Sequence, residues 1–202
     1  MENNYHYLDP ERKYTNRKGV LHNLAKIEDE EILLAYESLK VAKRVEDLFE
    51  NPIRIMDSNS LLRIHRYLFQ DIYDWAGEMR TVNISKDGKQ FFEGERFHTA
   101  FKYITTQIEE YRIIEEIEKK QVAEKLAEIL DTVNFLHPFR EGNGRTQREF
   151  LRILALEKGY ILNLNPPDNR NIFDRYMYGT INSDVGVLAE LIEQLIKQNK
   201  AL

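Results

Sequence analysis

His137-Pro138-Phe139-Arg140-Glu141-Gly142-Asn143-Gly144-Arg145-Thr146-Gln147-Arg148-Glu149-Phe150-Leu151-Arg152 links two helical patterns through a glycine loop. An apolar helix runs up to Leu136. Pro138 disfavours helical geometry in the residue before it, so His137 falls at a helix-to-loop break. Phe139 is apolar and anchors the loop in the core. Gly142-Asn143-Gly144 carries little bulk, can adopt positive φ, and presents consecutive N–H groups. A second helix is expected from about Gly144 to Lys158, closed by Gly159 as a C′ residue. Loop amides followed by a helix N-terminus make an anion site suited to phosphate.

The second helix supports the same chemistry. Arg145, Arg148 and Arg152 are three and four apart and fall within roughly 60° of one face at about 100° per residue. Phe150, Leu151 and Leu154 fall roughly opposite. An arginine stripe rising from a glycine loop grips phosphates bidentately. Glu141 supplies one carboxylate, and one carboxylate plus substrate phosphates and water is the usual way Mg²⁺ is held. An unperturbed imidazole titrates near neutrality, so His137 suits the role of base toward an attacking hydroxyl. Each residue alone has a plainer reading: a structural histidine, a turn, a solvated face. Their concurrence within sixteen residues points to phosphoryl or nucleotidyl transfer.

Outward from this segment the chain reads as helical. A helix is expected from Glu28 to before Asn51-Pro52, on the apolar positions Ile32, Leu33, Tyr36, Leu39, Val41, Val45, Leu48 and Phe49. The next carries Leu61, Leu62, Ile64 and Leu68, with Asp57 or Ser58 as cap. Helical pattern recurs over 97–117 and 121–136, and two more helices follow the loop at Asn165-Pro166-Pro167-Asp168-Asn169. The last of them carries Leu188, Leu191, Ile192, Leu195 and Ile196, as core or interface. Thr81-Val82-Asn83-Ile84-Ser85 and Gln90-Phe91-Phe92 alternate about Lys86-Asp87-Gly88-Lys89, the one hairpin signal in the chain. The expected organisation is an irregular N-terminal arm over 1–27 and one mostly helical domain over 28–202, with the hairpin at about 80–92 and the active-site loop at 137–145.

The whole chain limits the alternatives. Its net charge of −5 over 202 residues opposes bulk binding to a nucleic-acid backbone, and with it a helical DNA-binding regulator. It contains no cysteine, which excludes disulfides, thiolate metal sites and cysteine nucleophiles. The start lacks the basic and apolar regions of a secretory signal, and no stretch reaches the roughly 20 apolar residues of a membrane span. A cytoplasmic location without membrane attachment is expected.

His137-Pro138-Phe139-Arg140-Glu141-Gly142-Asn143-Gly144-Arg145 with Arg148 resembles the signature of the Fic (filamentation induced by cAMP) family, H-x-F-x-[D/E]-G-N-G-R-x-x-R, at every fixed position. The resemblance extends to Ile64–Glu78 and Arg80–Ser85. It implies an all-α, Fic-type helical bundle with a single β-hairpin flap, and transfer of AMP from ATP with Mg²⁺ onto Tyr, Ser or Thr hydroxyls of target proteins. By position, His137 would be the base, Glu141 the Mg²⁺ ligand, Gly142, Asn143 and Gly144 the anion hole, and Arg145 and Arg148 the holders of the outer phosphates. Ile84, Ser85 and Lys86 in the flap would bind the target as an added strand.

Relatives acting as kinases carry Ala and Lys in the glycine positions, so Gly142 and Gly144 favour AMP transfer. UMP or phosphocholine transfer is the alternative within the resemblance. A non-catalytic nucleotide-binding interaction module is the alternative outside it, and the completeness of the set opposes it. Many relatives inhibit themselves through an [S/T]-x-x-x-E-[G/N] helix. Here Thr105 and Thr106 precede Glu109 and Glu110, but Glu110 and Tyr111 follow; Ser183 is followed by Val187 and Thr180 by Asp184. The resemblance therefore implies a toxin whose inhibitory glutamate comes from a separate small antitoxin, acting at Arg148.

Overall fold

The computed structural model describes residues 5–7, 12–86, 89–115, 118–166 and 168–199. Seven α-helices make up most of the described residues: α1 (Glu30–Glu50), α2 (Ser60–Phe69), α3 (Phe97–Ile113), α4 (Lys119–Leu136), α5 (Asn143–Glu157), α6 (Arg170–Asn182) and α7 (Val185–Leu195). None of the described helices is long and apolar enough to cross a membrane.

The central helix is α4. Val122, Ala123, Leu126, Ala127, Ile129, Leu130, Val133 and Leu136 are all buried, a set too wide for one stripe. It packs most extensively on α7, then on α3 and α5. The α7 stripe is core, since Leu188, Leu191 and Ile192 are fully buried. Gly179 lets α6 approach α7 closely, because a Cβ there would lie 2.5 Å from Leu188 Cδ2. α5 is buried on nearly every side and packs on α2 and α4. Each large aliphatic side chain in this core contributes about 2–5 kcal/mol against truncation to alanine.

Helix ends follow local chemistry, with two adjustments to expectation. Asp29 caps α1 by accepting from the Ile32 amide at 3.0 Å. At α2 the cap moves to Asn59, and Asp57 instead accepts from the Asn59 amide at 2.9 Å, so the tight turn precedes the helix. α5 closes as expected, with Gly159 at φ +72 donating to Leu156 O. The face of α1 differs from its apolar pattern. Ile32, Leu39 and Phe49 are exposed, while Glu37 is 3% exposed beside Leu33, Val41 and Leu48. A carboxylate is tolerated there because it is paired, as described below.

The expected flap is present as β2 (Ile84–Lys86) and β3 (Lys89–Gln90), antiparallel, with Ser85 opposite Gln90. The turn residues Asp87 and Gly88 lie outside the described residues. The N-terminal arm is not irregular throughout: Tyr5–Tyr7 form a strand, β1, antiparallel to β2, with His6 opposite Ser85. Tyr160–Ile161 (β4) pair with Lys197–Gln198 (β5) in a second small ladder. Neither addition is periodic enough in sequence to announce itself, since two or three residues carry no alternation.

Candidate active site

The catalytic loop begins where α4 ends. His137 takes a left-handed conformation, φ 44 and ψ 59, and its amide still donates to Val133 O. Such a conformation is costly for a residue with a Cβ and persists only when surroundings enforce it. Two contacts do so. Arg80 Nε donates to His137 O at 2.8 Å, and Phe91 stacks on the imidazole at 4.0 Å between centroids. His137 Nδ1 lies 3.3 Å from Asn134 O. A carbonyl only accepts, so this contact puts the proton on Nδ1 and the lone pair on Nε2, the arrangement of a base.

The loop then folds on its own asparagine. Asn143 Oδ1 accepts from the Phe139 amide at 2.9 Å, and its Nδ2 donates to Phe139 O at 2.8 Å. The side chain of Asn143 is therefore a loop clamp, and its share in an anion site is its backbone. α5 starts at this residue, so its first amides have no intrahelical acceptors and point toward the loop mouth. Gly142 is required twice. Its φ is +81, and a Cβ there would lie 2.3 Å from Phe69 Cζ. At Gly144 a Cβ would be 3.3 Å from Arg148 Nη1, so the second glycine lets Arg148 fold close to the helix start.

The two motif arginines differ in surroundings. Arg145 Nη1 lies 2.6 Å from Glu37 Oε1 and its Nη2 lies 3.3 Å from Glu141 Oε1, with the guanidinium over the Phe69 ring. Glu37 also accepts from the Tyr73 hydroxyl. Burial, and then the neighbouring Glu37 carboxylate, raises the Tyr73 pKa, which keeps it a donor. Arg148 stacks near Phe173 and Tyr176, and among the described residues it has no ion pair. Arg152 departs from the stripe's expected role. It is 7% exposed, bound to Glu149 at 2.8 Å and to Leu48 O, and lies over Phe49. Burial raises the Glu149 pKa against the pull of Arg152. A pocket of about 390 Å³ opens beside this face, lined by Ala42, Val45 and Phe49 of α1 and by Arg145 and Arg148.

Glu141 is placed for a cation. Oε1 accepts from the Gly142 amide at 2.9 Å, which fixes the carboxylate at the edge of the anion site. Among the described residues no three His, Asp or Glu side chains form a metal cage. A single carboxylate so fixed fits Mg²⁺ of the kind held together with substrate phosphates and water. Beneath the loop, His65 donates from Nε2 to Glu141 O (3.0 Å) and accepts at Nδ1 from the Gly77 amide (2.8 Å). Its ring stacks on Phe139 at 3.8 Å, and burial lowers its pKa to about 3.

The structure thus brings Glu141, Gly142 and Arg145 into direct contact, sets Arg148 over Gly144, and ties His137 to the flap. Ile84, Ser85 and Lys86 form the central strand of the flap sheet. Four contributors were not marked by the sequence: Glu37, Tyr73, His65 and Arg80. Only a histidine and a glutamate within otherwise apolar helix faces could have signalled the first and third.

The Fic/DOC family model matches residues 55–155. The protein adenylyltransferase VbhT of Bartonella schoenbuchensis is 36% identical over 155 residues, 76% of this chain and 31% of that protein. The probable protein adenylyltransferase y4lH of Sinorhizobium fredii is 31% identical over 178 residues, 88% of this chain and 91% of that protein. This chain thus spans about a third of VbhT and most of y4lH. Among solved structures, BepC, a VirB-translocated effector of Bartonella tribocorum with bound AMPPNP, shares the fold with a TM-score of 0.80 and 21% identity. That match covers 94% of this chain and 98% of the other.

Proposed function

The chain belongs to the Fic/DOC family, and from that membership we propose that it is a protein adenylyltransferase, moving AMP from ATP onto Tyr, Ser or Thr hydroxyls of other proteins. The observation that carries the reading is the junction of α4 and α5. There a base with its lone pair on Nε2, a metal-ready carboxylate, a glycine loop on a helix N-terminus and two arginines meet within twelve residues. In this reading the phosphates of ATP lie at the start of α5. Arg148 binds the outer phosphates, Arg145 supports them while tied to Glu37, and Glu141 would hold Mg²⁺, which would neutralise phosphate charge when bound. His137 Nε2 takes the proton of the target hydroxyl. The hydroxyl oxygen forms a bond to the α-phosphorus, the bond to the bridging oxygen breaks, and pyrophosphate leaves.

In this reading a target segment adds to the flap at Ile84, Ser85 and Lys86, on the edge of β2 that β1 occupies in this structure. The toxin and antitoxin reading belongs here as well. The pocket beside Arg148, walled on α1 by Val41, Ala42, Val45 and Phe49, suits a helix from a separate small protein that offers a glutamate to that arginine. The reaction is placed in the cytoplasm, where ATP is available.

The test is transfer of label from α-labelled ATP with Mg²⁺ to proteins of a bacterial lysate, by the wild-type chain and by His137→Ala. Label on protein that vanishes in His137→Ala, with binding of a non-hydrolysable ATP analogue retained, supports the reading. Label from UTP or from a phosphocholine donor instead would reassign the transferred group. Nucleotide binding with no His137-dependent transfer from any donor would leave a binding module.

A further inference from the structure

Arg80 lies 57 residues before His137 in sequence and touches it in the fold. Its side chain is 3% exposed, and the guanidinium donates to carbonyls of three separate segments. Nε reaches His137 O at 2.8 Å, Nη1 reaches Val82 O at 2.7 Å, and Nη2 reaches Phe92 O at 2.5 Å. The Arg80 amide adds a fourth tie, to Pro138 O at 2.8 Å. Val82 precedes β2 and Phe92 follows β3, so both legs of the flap are held at their root. The residue before Phe92 is Phe91, whose ring stacks on the imidazole of His137. Phe92 is itself anchored to the end of α4, its amide donating to Phe135 O at 3.2 Å.

A guanidinium carries five N–H donors in a fixed planar fork, so one side chain can set three acceptors at fixed relative positions. A lysine ammonium at the same depth reaches fewer of them and imposes no plane. Burial of a charge is unfavourable unless its donors are satisfied. Here each named nitrogen meets a main-chain oxygen, and each oxygen belongs to the flap or to the histidine. The left-handed backbone at His137 is under the same control, because its carbonyl is one of the three.

We infer that Arg80 is a positioning residue: it fixes the flap, where the target strand is laid, at a set distance from the Nε2 of His137. The inference rests on the transferase reading above. Arg80 touches neither nucleotide nor hydroxyl in this arrangement. It makes the spacing between them independent of which target is bound.

The experiment uses the full chain as Arg80→Lys and Arg80→Ala. Three readouts are taken beside the melting temperature: affinity for a non-hydrolysable ATP analogue, the rate of AMP transfer at saturating ATP, and the ¹⁵N spectrum of the His137 ring. The ATP site lies on α5, so analogue affinity stays within about twofold in Arg80→Lys. A displacement of about 1 Å at a reacting group costs on the order of 100-fold, so transfer falls about 30- to 100-fold. Millimolar guanidinium restores part of the rate of Arg80→Ala and none to wild type. The wild-type ring shows the Nδ1–H tautomer, and Arg80→Lys shows a mixture.

Full transfer by Arg80→Lys overturns the inference. So does parallel loss of analogue binding and transfer in both variants, which marks a general scaffold residue. If the wild-type chain transfers nothing from any donor, it is the transferase reading that fails. The ring tautomer in Arg80→Lys then decides the Arg80 inference by itself, and an unchanged spectrum rejects it.

Discussion

At the scale of single residues, the two loop glycines have different reasons and different expected costs. Gly142→Ala asks an alanine to hold φ +81 and to place a methyl 2.3 Å from Phe69 Cζ. Phe69 is fully buried between the His65 ring and the Arg145 guanidinium, so it has nowhere to move. The left-handed strain and the overpacking together give about 2–4 kcal/mol of destabilisation. Urea unfolding checks this, and a change below about 0.5 kcal/mol would refute the packing argument. Gly144→Ala meets only the flexible end of Arg148 and sits in a helix, so stability changes by less than about 1 kcal/mol. The arginines divide in the same way. Arg148→Ala weakens triphosphate binding about 10- to 150-fold with little effect on folding, because one charge-assisted bond contributes about 1.5–3 kcal/mol. Arg145→Ala leaves Glu37 buried beside Tyr73 without its cation, and folding loses about 2–3 kcal/mol. Calorimetric binding and unfolding of the same two variants separate the roles. The opposite ranking would reverse the assignment. The placement of Glu141, Gly142 and both arginines along one loop and one helix was legible because it depends on spacing within a single short segment. Glu37 and Tyr73 were not, because their meaning appears only when α1 and the segment after α2 reach the start of α5.

At the scale of elements, local pattern found the seven α-helices among the described residues and the two strands of the hairpin, and failed where an element's partner lies far along the chain. α1 shows the failure inside a correct assignment. Spacing gave the helix, yet it put Ile32, Leu39 and Phe49 inside and gave no reason for Glu37 to be there. A buried face is chosen by what packs on it, and a carboxylate pairs inward when a guanidinium waits there. β1 shows the failure of omission. Tyr5–Tyr7 have no alternation to read, and they are a strand only because β2 offers an unpaired edge. This pairing has a consequence for the flap. Deleting residues 1–8 exposes that edge of β2, so the amides of residues 84–86 are expected to exchange with solvent at least tenfold faster. An acceptor that docks on the same edge gains affinity, read as a lower KM for protein at unchanged kcat. Unaltered exchange in the deletion would mean that β1 does not protect the flap, and the KM expectation would fall with it.

At the scale of the whole molecule, His65 joins parts that the sequence keeps apart. It rises from α2, holds the carbonyl of Glu141 in the catalytic loop, and receives the amide of Gly77 on the way to the flap. Burial, and then the nearby Arg145 charge, lower its pKa from 6.5 to about 3, and protonation would also set a second N–H against the Gly77 donor. The consequence for stability has a definite sign. Above about pH 6.5 neither the folded nor the unfolded chain protonates this residue, and its contribution is constant. Between about 6.5 and 3 the unfolded chain binds a proton that the folded chain refuses, so stability falls as pH falls. The slope from this one group approaches about 1.4 kcal/mol per pH unit, for a total on the order of 4–5 kcal/mol. That is comparable with the whole stability of an ordinary domain, about 5–15 kcal/mol. Acid unfolding of the metal-free protein should therefore release the loop and flap along with the core, in one transition. Urea midpoints at pH 7, 6, 5 and 4 measure the slope, with His65→Gln as the control, since a glutamine can accept and donate without titrating. The control is expected to be less stable at pH 7 and to lose markedly less stability on acidification, the difference approaching one proton. Equal slopes in the two proteins would show that His65 is not the group that couples this fold to pH.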